Sequence, residues 1–173
     1  MARKALIVVD MLNDFVDPKG ALYCGEPARR IIPFIAKLID SHRSRGDVVI
    51  YLQDTHSEDD KEFEIFPPHS IDGSWGHEII PELAPRPGDI VVQKRRYSGF
   101  FQTPLEDILE DHHITEVVVT GVCTSICVMD TVGGLRNRDY PVKVFRDGVA
   151  DFDERMHQFS LERMAKIYKA EVL

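Results

Sequence analysis

Short runs of apolar, mostly β-branched residues recur along the chain. Four are strong, namely ALIVV (5–9), DVVIYL (47–52), DIVVQ (89–93) and EVVVT (116–120), and a weaker one, PVKVF, spans 141–145. Nearly continuous apolar runs of this length are typical of strands that are buried on both faces of a parallel sheet. The pattern therefore predicts five parallel strands.

The segments between these runs have the spacing of amphipathic helices. In residues 31–46 the apolar side chains fall on one helical face, and Gly46 can end the helix. Further helices are predicted over 103–113, where a Thr-Pro pair can start one, directly after the turn at 121–127, and over about 153–169. Strands that alternate with helices predict an α/β fold, with a doubly wound sheet and helices on both faces.

Reactive side chains follow directly after three of the predicted strands. Asp10, Asp54 and Lys94 each stand at such a position. Because ligands of open α/β sheets bind beyond the carboxyl ends of the strands, we expect these residues at one functional edge. A long irregular segment at 54–81 starts from the same edge, and loops of this length inside a compact domain are usually functional.

Two of the three cysteines, Cys123 and Cys127, follow the fourth predicted strand in GVCTSICV (121–128). A buried cysteine is commonly only part of the core, and neither a zinc clip nor a redox C-x-x-C motif has this spacing. The start of a helix lowers a thiol pKa through the macrodipole and free amides, so the position also suits a nucleophile. With Asp10 as proton acceptor and Lys94 as cation, such a thiol would have the partners that acyl transfer needs.

Composition narrows the classes of function. The 173 residues are 43% hydrophobic and 29% charged, which predicts one globular domain over 1–173, and the formal net charge of −8 disfavours nucleic-acid and anionic-membrane partners. No apolar run approaches the ~20 residues of a membrane span. Asp10 interrupts the apolar N-terminal run, so a signal peptide is not expected. Three cysteines without the spacing of a disulfide framework favour a cytoplasmic location.

Segments along nearly the whole chain resemble the isochorismatase-like cysteine hydrolases, and among them most of all the nicotinamidases. These segments are ALIVVDMLNDF (5–15), DTH (54–56), EFEIFPPH (62–69), GHEIIPEL (76–83), KRRYSGFF (94–101) and GVCTSICV (121–128). The first and last are general to the superfamily, whereas DTH followed by FPPH is the narrower nicotinamidase signal. The resemblance implies a mostly parallel sheet of six strands, one more than the apolar runs give.

By position, the resemblance implies a catalytic triad of Asp10, Lys94 and Cys127. Cys123 would follow a cis peptide bond, and its backbone N–H would form an oxyanion hole with that of Cys127. The implied reaction is hydrolysis of nicotinamide to nicotinate and ammonia through a thioester on Cys127. In this assignment the amide of Cys123 matters and its thiol does not.

The loop after the second strand would hold one divalent metal ion. The resemblance implies Asp54, His56 and His69 as ligands and, as in some nicotinamidases, Glu62. Asp54 and His56 are two residues apart and would point the same way on an extended chain. Mixed oxygen and nitrogen ligands favour zinc, with iron or manganese as alternatives. Spacing alone is equally compatible with ordinary loop residues, since the chain has seven histidines and 29 acidic residues.

Three aromatic residues are implied as walls of a pocket for a planar ring. They are Phe15, Phe66 and Tyr97, whose faces could stack on such a ring, although core packing is the commoner fate of Phe. Three further histidines are expected to be helix-end or surface residues, namely His77, His112 and His113. His157 lies on the last predicted helix and is expected to be structural.

Two other functions stay open. The chain could be another amidase of the same superfamily, acting on a carbamoyl or ureido compound, or a non-catalytic member used for binding. The DTH and FPPH pair argues against the first, and the intact triad argues against the second. A small-molecule amide is the expected partner, and a homo-oligomer is expected because members of the family often form one.

Overall fold

A single sheet of six parallel strands organises residues 3–173, which are the residues described by this computed structural model. The strands are β1 (Arg3–Val9), β2 (Val48–Asp54), β3 (Ile90–Lys94), β4 (Ile114–Val122), β5 (Val142–Ala150) and β6 (Glu171–Val172). Their order across the sheet is β3-β2-β1-β4-β5-β6, and every neighbouring pair is parallel. The predicted doubly wound α/β sheet is therefore confirmed.

The strand order reverses between β1 and β4. The chain builds β2 and β3 on one side of β1, and then crosses over to place β4, β5 and β6 on the other side. Val9, at the end of β1, pairs with Leu52 of β2 and with Gly121 of β4. The crevice beyond this reversal is the usual ligand site of doubly wound sheets, and Asp10 is the first residue to enter it.

Helices cover both faces of the sheet. They are α1 (Asn13–Val16), α2 (Glu26–Arg30), α3 (Ile32–Ser44), α4 (Leu105–Asp111), α5 (Met129–Arg136) and α6 (Glu154–Lys166). Alternate residues of β1 serve the two faces: Leu6 packs with Ile35 of α3, whereas Ile7 packs with the cluster that contains Leu109 of α4 and Leu135 of α5. Strands that are buried on both faces explain the continuous apolar runs.

The structure departs from the sequence predictions mainly at the ends of elements. The helix predicted over 103–113 begins only at Leu105, because the Thr103 hydroxyl accepts the Leu105 N–H at 3.3 Å from a position before the helix. The sixth strand has two residues, too few to produce an apolar run. The segment at 54–81 contains three short 3-10 helices, Lys61–Glu64, Trp75–His77 and Pro81–Leu83. Within residues 3–173, no helix has the length and apolar character that crossing a membrane requires.

The packing of α3 against the sheet gives a stability prediction. Ile35 is fully buried, so Ile35→Ala should remove about 2–5 kcal/mol from the free energy of unfolding through lost burial and a residual cavity. Ile167→Ala makes the same change at a side chain that is 63% exposed, and should cost less than about 0.5 kcal/mol. Urea unfolding measures both values. Equal losses for the two variants would contradict this account of the core.

Candidate active site

A buried lysine contacts side chains at or just beyond the carboxyl ends of three other strands. Lys94, the last residue of β3, is only 1% exposed. Its Nζ lies 2.8 Å from Asp10 Oδ2, 3.0 Å from Asp54 Oδ1 and 3.5 Å from Cys127 Sγ. The parallel register places Asp54 directly beside Lys94, and Asp10 follows the next strand in the sheet. The three residues of the implied triad are therefore brought together.

Asp10 is turned towards the site by its backbone. It follows β1 with a φ of +50°, a left-handed conformation that Asp tolerates better than most residues. Its N–H donates to the carbonyl of Leu52 at 3.0 Å, and its Oδ1 accepts the N–H of Asp54 at 3.0 Å. The second oxygen, Oδ2, faces Lys94 at ion-pair distance without a well-aligned hydrogen bond. One carboxylate oxygen is thus fixed to the backbone and the other faces the reactive groups.

The buried charges around Lys94 have unequal pKa values. Burial raises the pKa of Asp10 to about 6, although Lys94 opposes the shift. Burial also acts to raise the pKa of Asp54, but Lys94 and the hydrogen bonds of His56 and His69 outweigh it and hold that pKa well below its usual range. For Lys94, burial is outweighed by the two carboxylates, which raise its pKa. Asp10 is the member of this group that can exchange a proton near neutral pH.

Burial has the largest effect on the pKa of the Cys127 thiol. Burial raises its pKa well above the ordinary value, Lys94 opposes that shift, and the charge of Asp10 adds to it. The prediction that the helix start lowers this pKa is therefore wrong, because desolvation exceeds the stabilisation of the thiolate. Both side chains contact Lys94 Nζ, at 2.8 Å for Asp10 Oδ2 and 3.5 Å for Cys127 Sγ. A thiol with a raised pKa needs a proton acceptor, and the Asp10 carboxyl is the nearby group with a pKa of about 6.

The end of β4 leads directly into the turn that carries Cys127. At Gly121, where φ is +114°, a Cβ atom would collide with the carbonyl oxygen of Val9, so only glycine fits between the two strands. The Val122–Cys123 peptide bond is cis, as the resemblance implied. Cys123 is then the N-cap of a π-helical turn, Thr124–Val128, which leads into α5 and carries Cys127.

Two side chains from the neighbouring strand and helix hold this π-helical turn from behind. The carboxylate of Asp151, just after β5, accepts the Ser125 N–H at 2.7 Å. His157 of α6 places its Nδ1 2.8 Å from the Thr124 hydroxyl oxygen. The expected structural role of His157 stays a prediction, and this contact is consistent with it. Sequence reasoning missed Asp151, since only the fold brings residues 125 and 151 together.

The four implied metal ligands form one buried cluster. One ligand atom from each of Asp54, His56, Glu62 and His69 lies within 4.8 Å of the others. Asp54 Oδ2 is 2.9 Å from His56 Nε2 and 3.3 Å from His69 Nε2, and Glu62 Oε1 is 3.9 and 3.8 Å from the same two nitrogens. Two carboxylates and two imidazoles form a donor set that suits a divalent transition metal.

Hydrogen bonds on the far side of each imidazole orient its Nε2 towards this cluster. His69 Nδ1–H donates to the carbonyl of Pro67 at 2.7 Å, and His56 Nδ1–H donates to Asp60 at 2.9 Å. Partners of this kind fix the ring orientation of metal-binding histidines. Asp60 was not among the predicted site residues, because only the folded loop brings its carboxylate to His56 Nδ1.

The cluster also carries an excess of negative charge. Burial lowers the pKa of His56, but its contacts with Asp54 and Asp60 outweigh burial and raise that pKa to about 9. Burial and the charge of Asp54 raise the pKa of Glu62. The second oxygen of Glu62, Oε2, is buried without a hydrogen-bond partner, and the nearest cation, Arg96, is 3.7 Å away. A divalent ion would balance this charge, so the residues fit a metal.

A cavity of about 430 Å³ connects the cluster with Cys127. The three expected aromatic residues, Phe15, Phe66 and Tyr97, all line it, which places them in the site and not only in the core. A fourth aromatic residue, Phe152, was missed; it is 62% exposed and lines the cavity beside the turn that carries Cys127.

The other histidines lie outside the cavity lining. His77 ends a 3-10 helix but is buried, with its Nε2 2.9 Å from the Thr55 hydroxyl oxygen, so it is a helix-end residue and not a surface one. His112 and His113 follow α4, where His112 is half-buried and His113 is exposed. None of the three belongs to the metal-ligand cluster.

The family model and a curated relative both match almost the whole chain and point to the same family. Residues 4–173 match the family described as the isochorismatase domain. A curated relative from Bacillus subtilis (strain 168), an uncharacterized isochorismatase family protein PncA, is 37% identical, with 98% of each chain covered. The crystal structure of nicotinamidase/pyrazinamidase PncA from Bacillus subtilis superimposes with a TM-score of 0.94 at 36% identity, again over 98% of each chain.

Two further solved structures are similar over nearly the full length. N-carbamoylsarcosine amidase from Thermoplasma acidophilum is 36% identical with a TM-score of 0.89, over 98% of this chain and 95% of that one. The pyrazinamidase of Pyrococcus horikoshii in complex with zinc is 28% identical with a TM-score of 0.93, over 99% of this chain and 98% of that one. The six-stranded fold is shared with these structures.

The buried charges give a prediction for the metal-stripped protein. Lys94→Met leaves Asp10 and Asp54 without their cation, so the free energy of unfolding should fall by about 3–5 kcal/mol. The double variant Asp10→Asn/Lys94→Met removes one of the two uncompensated carboxylates and should recover part of that loss. Urea unfolding in the presence of a chelator measures both. A loss under about 1 kcal/mol, or a double variant no more stable than the single one, would be inconsistent with this charge balance.

Proposed function

The chain belongs to the isochorismatase family of hydrolases, and we propose that it converts nicotinamide to nicotinate and ammonia. One observation carries the proposal: a nucleophile and a base line one cavity with metal-ligand candidates and aromatic walls, and a buried ammonium lies within 3.5 Å of both reactive groups. The similarity to PncA of Bacillus subtilis supports the same substrate. The triad supports hydrolysis of an amide. The metal-ligand cluster and the aromatic walls favour a substrate with a planar ring.

Asp10 and Cys127 carry the first step of the proposed reaction. Asp10 takes the thiol proton as Cys127 Sγ attacks the carbonyl carbon of the amide. A base with a pKa of about 6 is largely ionised at neutral pH, and both the base and the thiol lie within 3.5 Å of Lys94 Nζ. Lys94 keeps its positive charge and favours the transient thiolate. The backbone N–H groups of Cys123 and Cys127 hold the negative charge that develops on the carbonyl oxygen.

Asp10 then acts first as an acid and afterwards as a base again. As the carbon–nitrogen bond breaks, Asp10 returns its proton to the departing nitrogen, and ammonia leaves a thioester on Cys127. A water molecule next gives a proton to Asp10 while its oxygen attacks the thioester carbon. The carbon–sulfur bond breaks, the proton on Asp10 restores the thiol of Cys127, and nicotinic acid leaves and loses its own proton to water as nicotinate.

The proposed metal ligands are Asp54, His56, Glu62 and His69. Zinc is the favoured ion, with iron and manganese as alternatives; the zinc-bound pyrazinamidase of Pyrococcus horikoshii supports zinc. When bound, the ion would supply a Lewis acid for the ring nitrogen of the substrate. His69 also contacts the pocket walls, since its ring centroid is 5.6 Å from that of Phe15 and 6.3 Å from that of Phe66. The ligands and the walls would therefore fix the ring as one unit.

A second candidate substrate class is a carbamoyl compound. The similarity to N-carbamoylsarcosine amidase favours it, because that structure is as identical to this chain as PncA of Bacillus subtilis is, at 36%. The same triad would serve either substrate. A carbamoyl compound without a ring nitrogen would leave the metal cluster without a role, which is why nicotinamide is preferred. The assembled triad argues against a non-catalytic binding protein.

We also propose a cytoplasmic homo-oligomer. The cysteines Cys24, Cys123 and Cys127 are all free thiols, which suits a reducing compartment. The proposal of self-association rests on the family resemblance alone, and light scattering at several protein concentrations would test it.

The assignment of the nucleophile gives a first prediction for turnover. Cys127→Ala should lower ammonia release from nicotinamide to background without changing the fold, because within residues 3–173 no other thiol contacts Lys94. Cys123→Ala is the matched control and should stay substantially active, since only its backbone N–H is used. Ammonia release and circular dichroism measure the two properties. Loss of activity in both variants, or in neither, would contradict the assignment.

The metal cluster gives a second prediction. His56→Ala should lower the bound metal at least tenfold and raise the KM for nicotinamide strongly, because ring orientation is lost. His112→Ala removes an imidazole outside the cluster and should leave both values unchanged. Elemental analysis gives the metal content independently of activity. Unchanged metal content and KM in His56→Ala would exclude this role.

A further inference from the structure

Two thiols meet at the wall of the cavity. Cys24, between α1 and α2, and Cys123, at the end of β4, are 2% and 8% exposed. They are 99 residues apart in sequence, yet their Sγ atoms lie 3.0 Å apart and share a hydrogen bond. The proposed hydrolysis uses neither thiol, so this pair has no role in the chemistry described above.

Both cysteines line the same cavity as Cys127. The pair therefore borders the same space as the nucleophile. The rest of each segment is anchored: the Cys24 N–H donates to the carbonyl of Phe15 at 2.8 Å, and the Ser125 N–H, two residues after Cys123, donates to Asp151. The two sulfurs are thus held face to face by the fold and do not meet by chance at a loose surface.

We propose that Cys24 and Cys123 form a dithiol modification site, which a hydroperoxide converts to a disulfide with reversible loss of turnover. Formation of the disulfide depends only on the pair. Its effect on turnover rests on the proposed function, because the Cys123 N–H is one of the two proposed oxyanion donors.

The oxidation balances with hydrogen peroxide as the oxidant. Cys24 Sγ attacks one peroxide oxygen, so that a sulfur–oxygen bond forms, the oxygen–oxygen bond breaks, and the thiol proton leaves with the departing oxygen as water. Cys123 Sγ then attacks the sulfur of the Cys24 sulfenic acid; the disulfide forms, the sulfur–oxygen bond breaks, and a second water leaves. The two thiols lose two electrons in total, and the peroxide gains them.

The order of these two attacks follows from the hydrogen bond. The hydrogen bond with Cys24, together with burial, raises the pKa of the Cys123 thiol. The raised pKa disfavours Cys123 as the first nucleophile, so Cys24 is assigned as the first thiol to react. Cys123 is already in position to resolve the sulfenic acid before it is oxidised further.

Bond formation would shift the oxyanion donors. The sulfurs must approach from 3.0 Å to covalent distance. Because hydrogen bonds hold both segments in place, we expect the backbone at Cys123 to move as the bond forms. Displacements on the order of 1 Å near reacting groups can cost about 100-fold in rate. We expect the disulfide to lower turnover at least tenfold.

The site itself is tested in Cys127→Ala protein, where Cys24 and Cys123 are the only cysteines left. Brief exposure to hydrogen peroxide should lower the intact mass by two hydrogens and protect both thiols from alkylation, and dithiothreitol should reverse both changes. Cys24→Ser/Cys127→Ala is the matched control and should show neither. Addition of oxygen without loss of hydrogens, or no change in mass, would overturn the site whatever the substrate of the enzyme is.

The effect on turnover is tested in the wild type and in Cys24→Ser, each compared with its own rate before oxidation. The wild type should lose at least tenfold of its ammonia release and recover it in dithiothreitol, with the Cys24 and Cys123 peptides joined in the oxidised sample. Cys24→Ser should keep most of its own starting rate. Equal losses in both proteins would assign the effect to Cys127, and a disulfide with unchanged turnover would overturn the loss of function. A link between Cys123 and Cys127 would also overturn the proposal.

Discussion

The buried ammonium of Lys94 is the interaction on which the rest of the site depends. It stands between the carboxylates of Asp10 and Asp54 at 2.8 and 3.0 Å, with almost no access to solvent. A charge this deep is tolerated only with close partners, and each partner follows a different strand. The sheet order β3-β2-β1 is therefore also the order of Lys94, Asp54 and Asp10 along the edge. The strand order places the carboxylates beside the lysine, and the carboxylates in turn stabilise its buried charge.

Asp54 connects the two halves of the site. Its Oδ1 faces Lys94, and its Oδ2 faces His56 and His69, so one carboxylate belongs both to the reactive group and to the metal-ligand cluster. The pKa of Asp54 lies well below its usual range, whereas burial raises the pKa of Asp10 to about 6 and the charge of Asp54 adds to that shift. The negative charge of Asp54 thus lies between the group around Lys94, which includes Asp10, and the histidines of the proposed metal-ligand cluster. This arrangement would also couple ring orientation to the chemistry at Cys127.

Much of this architecture could be predicted from local sequence, and the exceptions have physical causes. Buried parallel strands leave continuous apolar runs, so β1 to β5 and the residues just after them were identified, whereas the two-residue β6 leaves no such run. The pKa of Cys127 could not be read from its place before a helix, because burial is a property of the packed site. The contacts of Asp60 with His56, and of Asp151 with Ser125, likewise depend on how segments meet in space.

The most direct test of the central claim is the stoichiometry of product formation from nicotinamide by purified protein of known metal content. The account predicts that ammonia and nicotinate appear at equal rates, with about one divalent metal ion per chain. Ammonia release from an N-carbamoyl amide but not from nicotinamide would contradict the proposed substrate and leave the triad in place. No release from either compound by folded, metal-loaded protein would contradict the assignment of Asp10, Lys94 and Cys127 as a working hydrolase site.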